Sequence, residues 1–175
     1  ERGRQYGTQA AERVGRSVAY YADQLQAAGI DWARAKSLAA GYLPLIQDFS
    51  PAYVEEMRGI AEGAGVDLEG IVIVNARTEM MFGAKKQARS GGDDGCTGAI
   101  VMPEAAHDGR LLHGQNWDWR EECVHAGVVL RIRRDDGPDI LTFTEAGGLA
   151  RSGLNAAGIA VTGNFLACDR DYRQQ

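Results

Sequence analysis

The sequence lacks any apolar run approaching the roughly 18 residues that a bilayer-crossing helix needs. Its first residues, Glu1-Arg2-Gly3-Arg4-Gln5, carry no apolar segment followed by a cleavage site, so a soluble, cytoplasmic protein is the expectation. It also lacks a block rich in Lys and Arg: 19 basic residues stand against 24 acidic ones, for a formal net charge of −5. Nothing is left for phosphate counterion release to act on, which argues against a nucleic-acid partner or an anionic membrane surface and for small molecules. Cysteine is scarce. Cys96, Cys123 and Cys168 are widely spaced and odd in number, which argues against a disulfide framework and leaves at least one thiol free. The three histidines, His107, His113 and His125, form no His-x-x-x-His pattern, and there is no Cys-x-x-Cys, so Cys123 is not expected to share a metal with His113 or His125. What remains, 175 residues with 45% hydrophobic and 25% charged, is the composition of one globular domain large enough to bury a core.

The first part of the chain reads as helix. Ala10, Val14, Val18, Tyr21 and Leu25 recur at three- and four-residue intervals, predicting one amphipathic helix from Tyr6 to Ala28 that Gly29 stops. Asp31 can cap a second helix toward Gln47, bent or interrupted at Gly41 and Pro44. Ser50-Pro51 supplies an N-cap followed by Pro at the first helical position, and Gly63 and Gly65 end that third helix. Asp67 caps a segment whose run Ile71-Val72-Ile73-Val74 suits helix or strand equally. A polar, glycine-bearing connector follows from Lys85 to Gly95.

Beyond it the period changes to 2. Cys96–Met102, Leu111–Trp117, Val128–Arg133, Ile140–Thr144 and Ile159–Phe165 are short β-favouring runs, with turn dipeptides at Asp108-Gly109 and Asp136-Gly137. In the third run, Leu130 and Ile132 fall on one face and Arg131 and Arg133 on the other. Helices followed by a strand meander indicate an α+β fold.

Cys96 has the most informative setting. It opens a β run directly after the glycine-bearing loop, between Gly95 and Thr97. One reading is a small buried thiol at a strand start. The other is a nucleophile. No histidine has an Asn or Asp partner that the sequence can place, but scission between Gly95 and Cys96 would create a different base. The new α-amino group, with an ordinary pKa of about 7.7–8.0, can take a proton from its own residue's thiol. Glycine before the scissile bond leaves the carbonyl open to attack.

Six segments together carry a resemblance: Met57-Arg58-Gly59-Ile60-Ala61, Asn75-Ala76-Arg77-Thr78-Glu79, Asp94-Gly95-Cys96-Thr97, Gly114-Gln115-Asn116-Trp117-Asp118-Trp119, Thr144-Glu145-Ala146-Gly147, and Gly153 through Val161. In this order they resemble the isopenicillin N acyltransferase (acyl-CoA:6-aminopenicillanic acid acyltransferase) family. That is peptidase family C45 of the N-terminal-nucleophile hydrolases, with penicillin V acylase and bile salt hydrolase among its relatives.

The resemblance implies a four-layer αββα sandwich, with residues 1–95 as a helical α chain and 96–175 as the start of the catalytic β chain. It implies autocatalytic cleavage at Gly95-Cys96, with the Thr97 hydroxyl assisting, and a thioester formed on Cys96. Asp118 would hold the new amino group, and Asn164 would offer a backbone N–H to the oxyanion. A turn or bulge at Gly163-Asn164 is the plainer alternative. Trp117, Trp119 and Phe82 are candidates for an acyl pocket, with core packing as the competing fate. Arg77 and Glu79 are expected to pair and dock the helical part on the sheet.

The substrate implied is a small-molecule amide or acyl thioester. No metal or organic cofactor is needed, and acyl-CoA would enter as a substrate. The resemblance further implies that this sequence corresponds to the first half of the unit and that its partner is the remainder of the β chain. The family's downstream Asn and Arg have no counterpart before Gln175. A homo-oligomer is compatible with all of this. The rivals are an unprocessed, non-catalytic binding or structural module and a redox-active thiol.

Overall fold

The computed structural model describes residues 1–84 and 96–164, without the side chains of 82–84. Among the described residues five α-helices precede six strands: α1 Arg2–Gln9, α2 Ala11–Ala27, α3 Trp32–Phe49, α4 Pro51–Ala64, α5 Leu68–Ala84, β1 Thr97–Val101, β2 Leu112–Asn116, β3 Gly127–Ile132, β4 Ile140–Glu145, β5 Ser152–Asn155 and β6 Ala160–Val161. The mixed α+β class is as expected. Among the described residues no helix is long and apolar enough to cross a membrane.

The chain divides into two compact units. The first takes in Glu1–Ala88 together with Glu122–Val128 and Thr144–Leu149. At its centre lies α5, in contact with α2, α3 and α4. The ambiguous run Ile71-Val72-Ile73-Val74 is helical, and all four residues are fully buried. A helical turn apolar on every side has to sit in the core, which explains why periodicity could not identify it.

The long helix expected from Tyr6 breaks at Ala10 (φ −112°, ψ 18°) into α1 and α2. The break accompanies an unusually close crossing of α1 and α4. A Cβ on Gly3 would stand 2.2 Å from the Glu56 carbonyl oxygen, one on Gly7 2.3 Å from that of Ile60, and one on Gly63 2.3 Å from that of Arg4. Gly63 therefore does not end α4. It lies within the helix as a contact point, and Gly65, at φ +68°, makes the left-handed C-cap. Helix α3 runs through Gly41 and Pro44 without interruption, forgoing the one hydrogen bond that Pro44 cannot donate. Asp31 caps it as predicted, its side chain accepting the Arg34 N–H at 2.8 Å. Asp67 instead directs its carboxylate to Lys36, 3.0 Å away.

The second unit comprises Arg89–Glu121, Val129–Phe143 and Ala150–Gln175. Its β1 and β2 form an antiparallel ladder from Thr97↔Asn116 to Val101↔Leu112. Strands β3 to β6 follow in order in one sheet, whose β4–β5 and β5–β6 pairings are antiparallel. Leu130 and Ile132 are half-buried and Arg131 is exposed, as the alternation requires. Strand β5 carries no sequence signal, because Ser152-Gly153-Leu154-Asn155 is too short and too polar to show a period. Gly153 is nonetheless required there, since a Cβ would stand 2.3 Å from the Leu141 carbonyl oxygen on β4. The run expected over Ile159–Phe165 shortens to β6, and Phe165 lies outside the described residues.

Candidate active site

Cys96 is half-buried and immediately precedes β1. Thr97, exposed, opens the ladder opposite Asn116, the last residue of β2. Antiparallel pairing therefore brings the entry of β1 to the same end of the ladder as the exit of β2, from which Trp117 and Asp118 continue. Asp118 is exposed. Gly95 lies outside the described residues, and Phe82 is on α5 with its side chain outside them.

Asn164 is brought directly to Cys96. Its Nδ2 donates to the Cys96 carbonyl oxygen at 3.0 Å, and its Oδ1 accepts from Gln115 Nε2 at 2.9 Å. The contact is made by the side chain and is separate from the backbone N–H expected to face the oxyanion. Gln115 Nε2 also donates to the Gly163 carbonyl at 2.7 Å, and Gln115 Oε1 accepts from the Ser152 hydroxyl at 2.8 Å. Gly98 pairs with Gln115 in the ladder, and a Cβ there would rest in ordinary contact with Asn164 Oδ1 at 3.4 Å. Gln115 lies inside one of the recognised motifs, and no local signal marked it or Ser152 as partners of Asn164. They meet only through pairing across two sheets.

Between β2 and the edge formed by β4, β5 and β6 is a cavity of ≈ 440 Å³. Trp117, Phe143, Leu154 and Val161 supply apolar walls, with His113, Gln115, Ser152 and Thr162 among the polar groups. Trp117 stacks on Trp119 with centroids 6.2 Å apart and meets Phe143 edge-on at 5.5 Å, and the Arg151 guanidinium sits 4.2 Å above its ring. Trp117 is thus both packed and cavity-lining. Its buried Nε1 makes no hydrogen bond among the described residues. His113 Nε2 lies 3.0 Å from the Thr162 hydroxyl. No group of His, Cys, Asp and Glu among the described residues is arranged to hold a metal ion.

A second polar cluster lies wholly within the helical unit. Glu145 is 2% exposed; its Oε1 accepts from the Tyr21 hydroxyl at 2.6 Å, and its Oε2 is 2.8 Å from Arg77 Nη2. This corrects the expected Arg77–Glu79 pair. Glu79 is exposed, and Arg77 turns to the carboxylate that burial leaves in greatest need of a cation. Cys123 Sγ lies 4.0 Å from the Tyr21 oxygen. Burial, aided by the Glu145 carboxylate, pushes its thiol up to about 12, and burial also pushes the Tyr21 phenol upward.

The adjoining turn is held by two further side chains. Tyr6 Oη accepts the Gly147 N–H at 2.8 Å and donates to the Gly148 carbonyl at 3.3 Å, while burial raises its pKa to about 12. Asn75 donates to the Gly147 carbonyl at 2.9 Å and accepts the Leu149 N–H at 3.0 Å. Gly147 adopts φ +97°, a conformation in which only glycine is unstrained. The motifs Asn75–Glu79 and Thr144–Gly147 are thereby two sides of one clamp. That cluster is buried and its groups pair with one another, so it anchors the Gly147 turn.

No family model matches the chain. Over 117 residues, which make up 66% of this chain, the sequence is 39% identical to the acyl-coenzyme A:6-aminopenicillanic-acid-acyltransferase 40 kDa form of Emericella nidulans. The match spans 30% of that relative's length.

Proposed function

We propose that this chain is part of a self-processing cysteine N-terminal nucleophile acyltransferase or amidohydrolase, of the isopenicillin N acyltransferase family and the four-layer αββα fold. The observation that carries the reading is the setting of Cys96. It is a partly accessible thiol at the mouth of a strand ladder, gripped by Asn164, on a chain that is 39% identical over 117 residues to an acyl-CoA-dependent acyltransferase.

In the maturation step the Cys96 thiol attacks the Gly95 carbonyl and the Gly95–Cys96 C–N bond breaks. The acyl group moves to sulfur and the nitrogen takes the proton. Water then hydrolyses that thioester, releasing residues up to Gly95 as a carboxylate and leaving Cys96 with a free thiol and a free amine. In turnover the amine removes the thiol proton, and the sulfur adds to the carbonyl of a small-molecule amide or acyl thioester. The oxyanion collapses with loss of amine or thiol, which leaves with the proton. Water or an acceptor amine then takes the acyl group. Asp118 holds the ammonium that forms in each cycle. The Trp117 side of the cavity receives the acyl group, with Trp119 stacked behind it. Acyl-CoA fits as a donor substrate because a thioester and an amide present the same carbonyl to the same sulfur.

The test is intact-mass measurement of the full-length protein beside its Cys96→Ala variant. The parent should yield fragments that end at Gly95 and begin at Cys96, while the variant stays whole and inert. Scission of the variant at the parent's rate would refute the mechanism. A parent that stays whole would favour a binding module, or a redox thiol if Cys96 then proves reactive toward peroxide.

A further inference from the structure

Asn164 could present either end of its side-chain amide to Cys96, and the groups around it decide which. The Gly163 and Cys96 carbonyl oxygens only accept hydrogen bonds. Because the Gly163 oxygen lies 2.7 Å from the Gln115 amide, the nitrogen of that amide must face it, and the second N–H then reaches Asn164 Oδ1 at 2.9 Å. The Ser152 hydroxyl donates to the remaining Gln115 oxygen at 2.8 Å. With its Oδ1 occupied, Asn164 has only Nδ2 to offer, and that nitrogen donates to Cys96 O at 3.0 Å. Every member of the chain Ser152→Gln115→Asn164→Cys96 is therefore a donor to the next acceptor, or the acceptor of the next donor, in one sense only.

We infer that Gln115 is a positioning residue. By orienting Asn164 it fixes the Cys96–Thr97 peptide plane, the base from which the Cys96 thiol is aimed. This rests on the reading of Cys96 as a self-processing nucleophile and adds what aims it. Thr97 is already held in the β1–β2 ladder, so gripping the Cys96 carbonyl fixes the peptide plane that joins Cys96 to the sheet and leaves only the rotations about its Cα–C and Cα–Cβ bonds to place the sulfur. A misaimed thiol loses the near-attack geometry on which an intramolecular displacement depends.

The substitution that exposes this is Gln115→Glu. It keeps the shape and replaces the two-proton donor by a carboxylate, which repels both Gly163 O and Asn164 Oδ1. Protonation returns one donor. Gln115→Met keeps the bulk and restores none. Full-length precursors of both are purified and their scission at Gly95–Cys96 is followed by intact mass between about pH 8 and about pH 5. At the upper pH both should cleave at least about tenfold more slowly than the parent. The ratio of the Gln115→Glu rate to the Gln115→Met rate should climb as the pH falls.

His113, hydrogen-bonded to Thr162, and Arg151, which reaches Gly163 O at 3.4 Å, are the titratable and charged groups facing this relay. Both are present in each variant and cancel in the ratio. Ser152→Ala, which removes only the outermost donor, should slow scission by a smaller factor and provides the test if the Gln115 variants do not fold. Parent-like scission in Gln115→Met overturns the inference, as does a ratio flat with pH or, where only Ser152→Ala folds, a parent-like rate in that variant. A parent that never cleaves removes the underlying reading instead.

Discussion

The two cysteines that the structure describes sit in opposite surroundings, and so do the units that carry them. In the helical unit Val14, Tyr21, Leu25, Met57, Ile60 and Ile71 to Val74 are essentially inaccessible, and the buried polar groups around Glu145 are tied to one another. In the strand unit Ile100, Met102, Leu111, Leu112, Val129, Ile159 and Val161 are more than half exposed, and polar side chains line an open cavity. The helices pack a shared core around α5, while these short strands leave much of their surface uncovered. Stability therefore concentrates in the first unit and accessible chemistry in the second.

The sharpest way to break that contrast is to alkylate the thiols at about pH 8 in a Cys168→Ser background. A thiol whose pKa is pushed to about 12 is ionised in only roughly one molecule in ten thousand at that pH. Cys96 should therefore react orders of magnitude faster than Cys123, with peptide mapping as the readout and the difference vanishing in denaturant. Comparable rates would dissolve the distinction between a reactive and a structural cysteine.

Next in size is Arg77→Met, which leaves Glu145 buried without its cation. It should cost about 3–5 kcal/mol in urea unfolding, and the double variant Arg77→Met/Glu145→Leu should recover a large part of that. Gly7→Ala forces a Cβ against the Ile60 carbonyl oxygen and should cost about 1–3 kcal/mol. Gly15→Ala, on the neighbouring helix with nothing within 4 Å, should instead be neutral or stabilising by up to about 1 kcal/mol.

The mildest expectation concerns alkaline pH. Cys123, Tyr6 and Tyr21 all have pKa values raised by folding, so the unfolded chain gives up each proton first. The stability from burying the neutral forms is complete below the unfolded values. For Cys123 it is lost between pH 9.0 and about 12, at no more than about 1.4 kcal/mol per pH unit per group. Unfolding midpoints measured across that range should fall with pH, and fall less in Cys123→Ala.

Much of this arrangement could be read from local pattern. Amphipathic stripes, the Asp31 cap and alternation in β3 each depend on residues a few positions apart, and those expectations hold. Pairing partners far apart in the chain could not be read. Glu145 lies 68 positions from Arg77, so the nearer Glu79 looked like its partner until burial decided otherwise. The glycines of α1 and α4 look like helix breakers one at a time, and they make sense only as facing halves of a close crossing. At the candidate site, Cys96, Thr97, Trp117 and Asp118 could be named from their motifs. The link from Asn164 through Gln115 to Ser152 required knowing which strands face each other.

The central claim is that the residue at position 96 becomes a chain terminus. Edman sequencing of the purified full-length gene product tests it most directly. A second amino-terminal sequence beginning Cys-Thr-Gly-Ala-Ile is expected, in equal amount to the first. A single sequence from an undivided polypeptide that still releases acyl groups from amides or thioesters would contradict it.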